Sequence, residues 1–128
     1  MFKTFCNKKL NFDFSSLQGF TNISKLKHLE ELSVNECNIT DAALKEVSLL
    51  SRLKKLNSSR CTRITDIGIL YISRLKLLRE LNLVWCTSLT SVCVEYIKDM
   101  ESLVSLDIRK CNIVDVGYFL HTNVEIWC

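Results

Sequence analysis

Apolar positions recur along this chain at one long, fixed period. Leu29, Leu53, Leu78 and Leu103 stand 24, 25 and 25 residues apart, and Leu32, Leu56, Leu81 and Leu106 repeat at the same intervals. Cys37, Cys61, Cys86 and Cys111 keep step with them. Each unit reads Leu-x-x-Leu-x-Leu or a close variant, then cysteine, then a turn. Such a unit has an apolar side that it cannot bury alone, whereas a stack of units makes one continuous core in which each coil touches only its neighbours.

Two shorter periods lie inside the long one. Leu32 and Val34, Leu81 and Leu83, and Leu106 and Ile108 alternate with polar residues, which places both side chains of a pair on one face of a short strand. Beyond the cysteine come Thr40, Thr65 and Thr90, two of them followed by aspartate, and these predict helix starts in which the threonine accepts a backbone hydrogen bond. Leu44, Val47 and Leu50 are then matched by Ile69, Ile72 and Leu75 and by Val94, Ile97 and Met100, a spacing that lines one helical face. The expected fold is an α/β solenoid, with parallel strands on the concave side and helices on the convex side.

The ends read as modified coils covering the core. Phe2, Phe5, Phe12, Phe14 and Phe20 crowd the first twenty residues; Leu10 with Phe12 suggests an early strand, and Phe20, Ile23 and Leu26 a degenerate helix. Val124 and Ile126 alternate like Leu81 and Leu83 but come only thirteen residues after Cys111, implying a shortened connection and a last strand. The organisation expected is therefore one domain over 1–128: an amino-terminal capping coil over 1–25, about four repeats over 26–120 and a terminal strand over 121–128. The chain stops abruptly at Cys128, so a fragment of a longer repeat protein is an open alternative.

Composition narrows the function classes. At 128 residues and 48% apolar, with no proline and three glycines, the chain suits one ordered core without linkers. No apolar run reaches the length of a signal peptide or membrane span. Seven cysteines without a Cys-x-x-Cys pair argue for reduced thiols, hence a cytoplasmic protein, or a nuclear one. The net charge of +3 is spread among interleaved acids and bases, which favours neither nucleic acid nor membrane as a partner.

The cysteine closing each strand, followed by Ile-Thr-Asp as in Cys37-Asn38-Ile39-Thr40-Asp41 and Cys61-Thr62-Arg63-Ile64-Thr65-Asp66, resembles the cysteine-containing class of leucine-rich repeats. That class is familiar from substrate receptors of cullin-type ubiquitin ligases and from many repeat proteins of plants, fungi and protists. The resemblance covers roughly 26–120 and implies a horseshoe-shaped solenoid that recognises a protein. It also implies that the four cysteines point inward and bond to loop backbone. Ser58 departs from the pattern at a strand leucine, Ser91 at the turn aspartate and Val114 at the turn threonine. Only about 25 residues precede the first clear repeat, too few for the F-box of the ligase receptors, so a ligase component is implied by family analogy alone.

Cysteines stacked one per coil lie in a line about 5 Å apart, whereas zinc needs four sulfurs around a point, so core thiols are expected, with no metal and no cofactor. A thiol enzyme needs a histidine beside a cysteine, and His28 and His121 lie in no recognisable motif. Asp41 and Asp66 read as first-turn helix residues. No catalytic residue is expected.

The outward strand positions form the best candidate surface. In register they are Glu31, Lys55, Glu80 and Ser105; then Ser33, Asn57, Asn82 and Asp107; then Asn35, Ser59, Val84 and Arg109; then Glu36, Arg60, Trp85 and Lys110. The alternating charges of the first row are assigned to the sheet itself, and Glu36 beside Arg60 likewise. A protein or peptide partner is expected at Val84 and Trp85 in the centre, with Arg60, Arg109, Lys110, Asn82, Asp107 and Trp127, since exposed tryptophan with arginine is the composition of binding hot spots. The competing reading has Trp85 folding over the rim onto the adjacent loop. Five or six strands about 4.8 Å apart give a sheet roughly 19 to 24 Å across, which suits a short peptide or small epitope. The expected function is a non-enzymatic protein-interaction module; the alternative is a structural or assembly segment of a larger complex.

Overall fold

The computed structural model of the chain describes residues 8–11 and 22–128. Six three-residue strands form one parallel sheet in sequence order: β1 Lys9–Asn11, β2 Glu31–Ser33, β3 Lys55–Asn57, β4 Glu80–Asn82, β5 Ser105–Asp107 and β6 Glu125–Trp127. Three helices, α1 Asp41–Val47, α2 Asp66–Ile72 and α3 Val92–Ile97, return the chain between β2 and β5 and pack side by side. In the last coil a 3-10 turn, Gly117–His121, takes the helix's place and makes the shortened connection. The architecture is the expected α/β solenoid.

The long period sets the strand register. Leu10, Leu32, Leu56, Leu81, Leu106 and Ile126 lie side by side across the sheet. The four internal members of that row are buried, as are Val34, Leu83 and Ile108. These last three sit one residue beyond their strands, yet the ladder runs on through them: their amides donate to Asn57, Asp107 and Trp127 carbonyls at 2.8 Å each. The buried helical face holds Leu44, Val47, Ile69, Ile72, Val94 and Ile97 as expected, whereas Leu50, Leu75 and Met100, expected on the same face, lie three residues past the helix ends and are buried in the turns. The early strand appears at Lys9–Asn11, and 22–25 form a short 3-10 turn with Ile23 buried. The five amino-terminal phenylalanines lie outside the described residues.

Two further expectations need correction. The Thr65 and Thr90 hydroxyls accept from the amides of Ile67 and Val92 at 3.3 and 3.2 Å, but Thr40 makes no such cap. Glu36, Arg60, Trp85 and Lys110 are not strand residues: all four have positive φ, from 60° to 65°, and turn the chain away from the sheet. The reason is geometric. The following residue, cysteine, must point inward, and a left-handed residue reverses the chain direction within one step.

Candidate binding surface

Behind the surface, the cysteines fix the turns. The thiols of Cys61, Cys86 and Cys111 donate to the carbonyls of Val34, Ser58 and Leu83 in the preceding coil at 3.1, 3.1 and 3.0 Å. Burial pushes the thiols of Cys61, Cys86 and Cys93 up to about 12 and raises that of Cys111. A thiol held protonated in this way is a weak nucleophile. The Nδ1 of His28 accepts from Arg52 at 3.3 Å. Among the described residues no three His, Cys, Asp or Glu side chains converge as a metal site would require, and no helix is long and apolar enough to cross a membrane.

The sheet's outward side chains line one groove of about 430 Å³ that crosses all six strands, from Lys9 and Asn11 to Asp107 and Trp127. Its first row is an alternation of charge. Lys9 pairs with Glu31 and Lys55 with Glu80, both at 3.0 Å, and Glu80 raises the pKa of Lys55 through its hydrogen bond. Beside that row Glu30 bonds Lys54 at 3.1 Å and Lys8 at 3.3 Å; the Lys54 bond, ahead of the contribution from Lys8, holds its carboxyl below the usual range. These pairs neutralise one another, as expected of charges that serve the sheet. Glu36 and Arg60 also pair, at 3.2 Å.

The second row has a role the sequence reading missed. Asn57, Asn82 and Asp107 each accept, through Oδ1, the amide two residues ahead, at Ser59, Val84 and Arg109, at 3.0, 3.0 and 3.2 Å. Each such bond supports the backbone just before a left-handed residue. The signal was present as a short amide or acid side chain at one fixed place in three successive units.

The eight candidate residues divide into two neighbouring groups. Asn82, Asp107 and Trp127 line the groove. Arg60 and Trp85, with Thr62, border a separate depression at the rim, and Lys110 occupies the matching left-handed position one coil on. Val84 and Trp85 are therefore not at the centre of the groove: Val84 is half-buried next to the turn, and Trp85, 46% exposed, stands on the rim. Arg109 joins the groups. Its Nε and Nη2 donate to Asp107 at 2.9 and 2.6 Å, and its guanidinium carbon lies 5.8 Å from the centre of the Trp127 ring. Trp127 remains 49% exposed, a broad aromatic face held in place yet open to a partner.

Among known protein families, residues 25–48, the first complete unit, match the leucine-rich repeat. A search of curated proteins finds no match. With six parallel strands alternating with helical returns, the fold is that of a leucine-rich-repeat solenoid, a class that serves in general as protein-interaction modules.

Proposed function

We propose that this chain is a non-enzymatic interaction module that takes an extended peptide or small epitope of a partner protein on its concave face. The observation that carries the reading is Trp127: half exposed in the groove, it lies beneath an Arg109 side chain that Asp107 holds by two bonds. An aromatic face with a pre-oriented guanidinium needs little further ordering on binding, and such pairs dominate interface energetics. Asn82 and Asp107 line the floor, while Arg60, Val84, Trp85 and Lys110 extend the contact to the rim. Protonated core thiols suit a reducing compartment, the cytoplasm or nucleus, and their bonds to loop carbonyls favour the cysteine-containing class of repeats.

The test is affinity capture with the wild type, an Arg109→Ala, Trp127→Ala double variant and a Trp85→Ala variant, each checked for folding by circular dichroism. The double variant is expected to lose the partner. Retention of every partner by the double variant contradicts the reading, and loss in Trp85→Ala alone moves the site to the rim.

A further inference from the structure

The two ends of the sheet complement each other. Along the first row the charges run Lys9, Glu31, Lys55, Glu80, then neutral Ser105, then Glu125. Lys9 pairs with Glu31 and Lys55 with Glu80, but Glu125 has no ion-pair partner among the described residues. The leucine row is similarly incomplete at its ends. Leu32, Leu56, Leu81 and Leu106 are buried, whereas Leu10 and Ile126 are only partly covered. Among the described residues, strands β1 and β6 each pair on one side only. Exposed apolar side chains also gather in the last coil, where Val114 is 92% exposed, Leu120 78% and Tyr118 51%.

We propose that β6 is an assembly edge whose occupant is β1 of a second copy of this chain, added in parallel and in the register that the five internal pairings use. Lys9 of the second copy then stands beside Glu125, Leu10 beside Ile126 and Asn11 beside Trp127. The charge alternation continues across the junction and both end members of the leucine row gain a covering neighbour. An unpaired strand edge is a ready template for this addition. Because the two surfaces differ, the contact is head-to-tail and each addition regenerates a free edge.

Sedimentation equilibrium of the full chain over a wide concentration range tests this. The expected result is a mean mass that climbs with concentration and does not level off at two chains. Glu125 has no ion-pair partner among the described residues, so Glu125→Lys is expected to keep the fold and to shift association to roughly tenfold higher concentration or beyond. Mixing it with Lys9→Glu restores one junction, and with it a complex of two chains. A monomer at every concentration, a plateau at two chains from a symmetric contact, or undiminished association of Glu125→Lys overturns the proposal. If Lys9→Glu fails to fold, Glu125→Lys alone decides.

Discussion

Asp66 is bonded to Thr90 of the next coil twice, its Oδ1 accepting the Thr90 amide at 2.9 Å and its Oδ2 the hydroxyl at 2.6 Å. Asp41 holds Thr65 in the same way, at 2.9 and 2.6 Å. The aspartate that opens one helix thus clamps the turn that opens the next. Asp66→Ala is expected to cost about 1–3 kcal/mol in denaturant titration, since it removes two bonds to a charged acceptor. A loss near zero would mean that water replaces the clamp.

One coil further the clamp is weaker in a specific way. Ser91 replaces the aspartate and Val114 the threonine, leaving one bond, from the Val114 amide to Ser91 Oγ at 3.1 Å. Converting both positions, Ser91→Asp with Val114→Thr, should restore the second bond. A double-mutant cycle is expected to show favourable coupling of about 0.5 kcal/mol or more; additive effects would refute the pairing.

Gly68, in α2, lies against the Asp41–Thr65 clamp. A Cβ built there would fall 2.5 Å from Asp41 Oδ1 and 2.8 Å from Leu44 Cδ1. Alanine ordinarily strengthens a helix by about 1 kcal/mol over glycine. Here the crowding of α1 wins, and Gly68→Ala should lower stability by about 1–3 kcal/mol, read as a fall in the urea midpoint.

The buried thiols set a pH limit. With folded values near 12 for Cys61, Cys86 and Cys93, against about 8.5 in an unfolded chain, the folded state prefers the protonated form. Their contribution is complete below about pH 8.5 and is lost as pH rises toward 12, at up to about 1.4 kcal/mol per unit for each thiol. Midpoints measured in reductant should fall between pH 8 and 10, and Cys86→Val should flatten that fall. Under native alkylation Cys128, which is exposed, should react well ahead of Cys61, Cys86 and Cys93. Equal rates would contradict the burial.

The repeat period gave the strand register, the buried face of each helix and the inward cysteines, because all three follow from burying every unit's leucines against its neighbours. What it did not give was the path of the chain just after each strand. Strict alternation from Leu81 and Leu83 would turn Trp85 inward, and it is exposed only because a left-handed turn breaks the strand pattern there. The left-handed turn leaves no sign in a row of Glu36, Arg60, Trp85 and Lys110, none of them the glycine or asparagine that usually marks it. Among the described residues, Trp127 at the end of β6 is the aromatic side chain that lines the groove.

The central claim, that a partner lies along the concave groove, is tested most directly by site-specific photo-crosslinking. A crosslinker at Asn57, on the groove floor, is compared with one at Lys45, exposed on α1. The account predicts that the partner is captured from Asn57 and not from Lys45, and that Trp127→Ala abolishes the capture. Capture from Lys45 alone would place recognition on the helical face and contradict it.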